Sequence, residues 1–166
     1  MKNICFYFEI HQPLRLKRYR FFEIGQDHYY YDDFQAEERI RAMAEQSYLP
    51  ANRTIAEMIR SSNGKFKCAF SISGVALEQL EQYAPEVIDS FKELAQTGSI
   101  EFLAEPYAHS LASLYDTDEF VRQINLHAEK LESLFGKKPT AVRNSELIYS
   151  NEIGEIVSKL GYKTIL

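Results

Sequence analysis

The stretch Ala141-Val142-Arg143-Asn144-Ser145-Glu146-Leu147-Ile148-Tyr149-Ser150-Asn151 runs from an apolar strand end through a polar turn into the start of a helix. A carboxylate, Glu146, stands in that turn. In chains that alternate strands and helices, residues just past the carboxyl end of a strand occupy the face where such folds keep their chemistry. A lone Glu in a turn is usually only solvated, so the weight of the observation depends on what the rest of the chain brings to the same face.

Working outward, the same grammar repeats. Residues 139–143 form a short strand before the turn, and 151–160 a helix stopped by Gly161, with a further strand starting over 163–166. Upstream, Asp116 and Glu119, three apart, offer a capping-box start for a long helix reaching Phe135-Gly136. Residues 99–104 read as a strand followed by a loop over 105–115. Before it come two helices, 75–83 and 85–97, the second with proline in its first turn and Gly98 as its stop. Residues 65–73 alternate toward an apolar strand through Phe66, Cys68, Phe70 and Ile72. Residues 35–48 carry a helical stripe, Ile40, Met43, Ala44 and Tyr48, which Pro50 is expected to stop before a second helix opening at Ala51 or Asn52 and closing at Asn63-Gly64. The chain begins with an aromatic-rich apolar run, 3–10, read as a buried strand of a parallel sheet and ended by His11-Gln12-Pro13.

The resulting order is that of parallel βα units, which a barrel or a doubly wound sheet would both satisfy. One segment has no period: residues 14–34 hold Tyr19, Phe21, Phe22, Tyr29, Tyr30, Tyr31 and Phe34, and a loop of that length calls for a job such as a lid or a binding wall. The sequence stops inside its fifth strand with no helix to cover it. Parallel sheets are covered on both faces, so a piece of a longer enzyme is expected, residues 1–166 being the N-terminal part of one domain.

Composition bounds the function. At 166 residues with 45% hydrophobic and 26% charged, the chain has the make-up of a globular domain. Its net charge of −5 and single short basic run, Arg15 to Arg20, argue against nucleic acid. The N-terminal run meets Glu9 and His11 too early to be a signal peptide or membrane span, so a cytoplasmic protein without a membrane partner is expected. Cys5 and Cys68 each fall in an apolar strand and read as buried free thiols.

Polar groups gather after strand ends: His11 and Gln12, then Ser73, then Glu105 and His109, then Arg143, Asn144 and Glu146. In a parallel βα fold these ends share one face. Carboxylates, histidines, an arginine and a tyrosine-rich loop suit a polyhydroxylated ligand, with aromatic faces against sugar rings. No glycine-rich phosphate loop follows any strand. His11, His28, His109 and His127 show no H-x-x-x-H pairing, so no metal site and no cofactor are expected, and His127, in mid-helix, reads as structural.

Three stretches then resemble motifs of glycoside hydrolase family 57, the α-amylase and 4-α-glucanotransferase family: Glu9-Ile10-His11-Gln12-Pro13, the run from Gly98 through Glu105 to His109, and Arg143-Asn144-Ser145-Glu146-Leu147-Ile148-Tyr149. The resemblance implies the N-terminal part of an incomplete parallel (β/α)7-type barrel and a retaining mechanism on α-glucans or maltooligosaccharides. It makes Glu146 the nucleophile and places His11, His109 and, less directly, Glu105 at the substrate. Arg143 is counted with the substrate-binding residues and is expected, from its spacing alone, to keep Glu146 ionised. The family's general acid/base, an Asp, belongs to a later motif beyond Leu166, in a remainder of the same polypeptide, so the isolated chain is expected to be inactive. A glucanotransferase or branching enzyme of the same family would look alike at this level. Rival readings are a noncatalytic carbohydrate-binding domain and a metal-dependent deacetylase-like domain, for which Asp32-Asp33 is the acidic pair and partner histidines are lacking.

Overall fold

The computed structural model describes residues 4–166. Strands β1 (Phe6–Ile10), β2 (Cys68–Ile72) and β3 (Ile100–Phe102) lie side by side and parallel. Strands β4 (Ala141–Val142) and β5 (Thr164–Ile165) form a second parallel pair. Ala104 joins the two: its N–H donates to Ala141 O at 2.9 Å, and its carbonyl accepts from Arg143 N at 2.8 Å. The spatial order therefore follows the chain, as expected of βα units.

Helices α1 (Asp33–Met43), α2 (Leu49–Ser61), α3 (Gly74–Tyr83), α4 (Pro85–Gln96), α5 (Thr117–Phe135) and α6 (Asn151–Lys159) alternate with the strands. Each has a local reason to start. Asp32, Ser73, Asp116 and Ser150 accept hydrogen bonds from N–H groups of the first turns of α1, α3, α5 and α6, and α4 begins with Pro85, whose missing N–H costs nothing there. Asp116 fulfils half of the expected capping box, because the Glu119 carboxylate turns instead to Arg122. Helix α5 ends where Gly136 takes the left-handed conformation.

The period-2 register sets two faces. Rows Phe6–Cys68–Ile100 and Phe8–Phe70–Phe102 point to the helices. Phe91 lies edge-on to Phe70 and Phe102, and Phe135 stacks on Phe102 at 4.1 Å. Each such side chain, once buried, contributes roughly 1.5–3 kcal/mol. The intervening residues, Tyr7, Glu9 and Ser71, turn to the opposite face, where the polar groups collect. A smaller core, Ala104, Phe120, Ile124, Val142, Ile153 and Val157, carries the β4 end of the sheet.

Four expectations change. The first strand is not buried: Phe6 and Phe8 stay exposed, because among the described residues β1 pairs on one edge only. Its expected start, Asn3, lies outside the described residues. Cys5 precedes the strand and is exposed, whereas Cys68 is buried as expected. Pro50 does not stop a helix. A π-helical turn over Ala44–Tyr48 lets Leu49 N–H reach back to Ala44 O, so the helix continues with Pro50 in the first turn of α2, where no N–H is needed. Asn52 opens nothing; it is buried and donates to Ser90 Oγ of α4 at 2.8 Å. Residues 14–34 form a two-legged excursion tied by Lys17 N–H to Tyr30 O and Asp32 N–H to Arg15 O, with Phe21 and Phe22 exposed near its tip.

At the start of α3 the Tyr107 ring lies flat on Gly74, and a Cβ there would meet ring carbons at 2.5 Å; the Tyr107 hydroxyl also donates to Glu78. Replacing Gly74 by Ala must displace the loop that carries His109. Denaturant unfolding of Gly74→Ala is expected to show a loss of about 1–3 kcal/mol; an unchanged midpoint would mean the ring moves freely.

Candidate active site

The site forms where β1, β3 and β4 end. Each piece is held from below. His127, in the middle of α5 and fully buried, accepts from Glu105 N–H through Nδ1 at 3.0 Å, which leaves Nε2–H to donate to Ile72 O at 2.7 Å. One tautomer thus ties the loop after β3 to the end of β2, the structural role its helical position implied. Burial pushes the His127 pKa down, consistent with a neutral ring. Gln123, one turn earlier on α5, accepts from Ala108 N–H and Ser110 Oγ–H, both at 3.1 Å. The loop is thereby clamped on both sides of His109, whose φ of 54° is left-handed.

The turn after β4 is built with comparable strain. Glu146 and Leu147 both have positive φ, 54° and 56°, which costs a non-glycine residue about 1–2 kcal/mol. Asn144 offsets this: its Oδ1 accepts from Ser145 N–H, and its Nδ2 donates to Ile148 O at 2.8 Å and Ser113 Oγ at 3.0 Å. The outcome is that Ser145 is buried while the Glu146 side chain stands 69% exposed.

Four of the five expected site residues meet at His109. Its Nε2 lies 3.1 Å from Glu146 Oε1, and its Nδ1 faces Glu105 Oε2 at 3.4 Å and Arg143 Nη1 at 3.3 Å. The fifth, His11, stacks on the His109 ring at 4.3 Å and 19°, with its own Nδ1 2.7 Å from Ser73 Oγ. The two rings are driven apart electrically. The hydrogen bond to Glu105 raises the His109 pKa against the opposing effect of burial, whereas burial and then His109 lower that of His11.

Two residues are placed differently from expectation. Arg143 does not face Glu146. It is buried, donates to Glu9 Oε2 at 2.8 Å and lies 3.6 Å from Glu105 Oε2, and the group within hydrogen-bond distance of Glu146 is His109. Glu105 has no exposed surface and sits beneath His109, out of reach of a sugar. Glu9 is the site residue that motif reading passed over as a contributor: its Oε1 is 3.9 Å from His109 Nε2. Its signal was available, since a charge at an inward position of an otherwise apolar strand requires a partner.

Asp32 and Asp33 stand apart from this cluster. Asp32 caps α1, and Asp33 accepts from the hydroxyls of Tyr29 and Tyr83.

The sequence model of Glycosyl hydrolase family 57 matches residues 5–166. The chain is 40% identical over 168 residues to a protein of Methanocaldococcus jannaschii named "Putative alpha-amylase", covering 98% of the chain and 35% of that relative. It therefore spans about a third of that relative's length. In fold it is similar to the 4-alpha-glucanotransferase of Thermococcus litoralis, with a TM-score of 0.71 at 19% identity over 97% of the chain and 21% of that enzyme. It is also similar to the chitin deacetylase of Colletotrichum lindemuthianum, with a TM-score of 0.54 at 17% identity over 69% of the chain and 49% of that structure.

Removing the buried Arg143 charge leaves Glu105 without a permanent counterion. Arg143→Met is expected to lower the unfolding free energy by about 3–5 kcal/mol, measured by chemical denaturation; a loss under about 1 kcal/mol would show the network to be dispensable.

Proposed function

The chain belongs to glycosyl hydrolase family 57, and from that premise we propose that it is the N-terminal part of a retaining, α-amylase-type enzyme acting on α-glucans, with Glu146 as nucleophile. The observation that carries the reading is the pairing of exposure and support at Glu146: a carboxylate lifted out of a left-handed turn, hydrogen-bonded at 3.1 Å by a histidine that four other site residues hold. A nucleophile needs an accessible oxygen, and a positioned N–H fixes its direction. Attack on the anomeric carbon would form a glycosyl ester, which water, or a sugar hydroxyl in a transferase or branching enzyme, would resolve.

His11 and His109 line the approach to Glu146 and are the groups for the sugar hydroxyls. The excursion over residues 14–34, which leaves the same strand end as His11, supplies the aromatic wall. The incomplete barrel has support in one contact: Glu9 at the end of β1 reaches Arg143 past β4 at 2.8 Å, although in a flat sheet three strand spacings of about 4.8 Å would separate those strands. The second carboxyl group that a retaining glycosidase holds about 5–5.5 Å from its nucleophile is assigned to an Asp of the longer polypeptide. Transferase and branching activity remain alternatives within the same chemistry. The deacetylase-like reading loses ground because Asp32 and Asp33 are engaged in capping and tyrosine contacts.

In the full-length enzyme, Glu146→Gln is expected to cut α-glucan turnover by about a thousandfold or more while glucan binding is retained. Unchanged turnover would remove the assignment. The 166-residue chain alone is expected to give no multi-turnover hydrolysis in a reducing-sugar assay; sustained turnover would show that it already contains both carboxyl groups.

A further inference from the structure

Glu105 is a carboxylate taken wholly out of water, and such burial costs several kcal/mol unless positive charge and hydrogen bonds offset it. Among the described residues its Oε1 has no hydrogen-bond partner, and its Oε2 faces His109 Nδ1 at 3.4 Å and Arg143 Nη1 at 3.6 Å. Its backbone N–H donates to His127 of α5 at 3.0 Å, which anchors the backbone from which the carboxylate projects. We infer that Glu105 is a positioning residue: its buried carboxylate accepts a hydrogen bond from His109 Nδ1 and holds the ring with Nε2 turned to Glu146. The consequence for catalysis rests on the reading of Glu146 as nucleophile; the placement of the proton does not.

The two contacts at His109 Nδ1 are alternatives. A protonated Nδ1 donates to Glu105, whereas a bare Nδ1 accepts from Arg143 Nη1. The charges around the ring decide between them. Glu9 faces it from β1, Glu105 from its own loop, Glu146 from the turn after β4, and Arg143 from the end of β4, while His11 stacks on it from the end of β1. Three carboxylates meet one guanidinium, and that guanidinium already donates through Nη2 to Glu9. An imidazolium at His109 supplies the missing positive charge and satisfies Glu105 at once. Nε2–H is then a charge-assisted donor to Glu146 Oε1, which tethers an otherwise exposed side chain. His11, with its titration pushed down, remains the neutral partner of the stack.

The sign of the effect follows. Glu105 raises the His109 midpoint, so the ring keeps its charge above the ordinary histidine value of 6.5 and loses it only as pH climbs through the raised midpoint. Removing the carboxylate charge must move that loss to lower pH.

Long-range 1H–15N NMR of the four histidines reads this directly, without any substrate. At pH 6.5 the wild-type spectrum is expected to show both His109 nitrogens protonated and His11 mostly neutral. In Glu105→Gln the His109 midpoint is expected to fall by about one pH unit or more. Glu105→Asp, which keeps the charge, should return it toward wild type. A neutral His109 at pH 6.5 in the wild-type protein overturns the inference even where Glu105→Gln fails to fold, and so does a midpoint unmoved by that substitution. In the active full-length enzyme the alkaline limb of kcat/KM is expected to move to lower pH in Glu105→Gln and to recover in Glu105→Asp. Loss of turnover in Glu146→Gln is a separate result, so failure of the nucleophile assignment and failure of the Glu105 assignment are distinguishable.

Discussion

The guanidinium of Arg143 is the one group on which the rest of the site depends. It lies just past β4, is buried, and joins Glu9 of β1 to Glu105 of the loop after β3. Three chain segments far apart in sequence are thus referred to a single planar cation, whose fixed donors suit two carboxylates better than an ammonium would. Burying a guanidinium and a carboxylate is costly, and the expense is acceptable where geometry is worth more than stability. Here the geometry concerns His109, which rests against both members of the buried pair and faces Glu146 with its remaining nitrogen.

Above that network the backbone is strained at two of the residues that matter. His109 and Glu146 both take left-handed φ, and each strained residue is pinned by neighbours with no contact to the cleft: Gln123 and His127 of α5 and the Tyr107–Gly74 contact for the loop, Asn144 for the turn. Strain that survives only because surrounding groups over-determine it is a feature of functional sites. The arrangement gives a buried lower layer beneath the exposed carboxylate of Glu146, a division of labour suited to a group that must present an oxygen without wandering.

Much of this was legible in the sequence. The strand ends at His11, Ser73, Glu105 and Arg143 follow from apolar runs broken by polar residues, and parallel βα order brings such ends to one face. Other parts were hidden for physical reasons. The open edge of β1 could not be read from an aromatic-rich run, because periodicity reports which residues are apolar and not which strand has a neighbour on both sides. The π turn before Pro50 replaces a helix stop, and local propensity does not register a shift in hydrogen-bond register. The partner of Arg143 was misplaced because proximity in sequence favoured Glu146, whereas Glu9, more than a hundred residues away, lies within 2.8 Å. For the same reason Glu105 looked like a substrate ligand: a polar residue after a strand points either into the cleft or beneath it, and only packing decides which.

On the proposed reading, the exposed oxygen of Glu146 forms the bond to sugar. Its most direct test is to trap that bond in the full-length enzyme with a fluorinated α-glucosyl fluoride, which slows breakdown of the glycosyl ester, and to locate the label by peptide mass spectrometry. A single glucosyl adduct is expected on the peptide carrying residues 144–149, at Glu146, and none in Glu146→Gln. A label on any other carboxylate, or turnover of the reagent with inversion and no adduct, would contradict it.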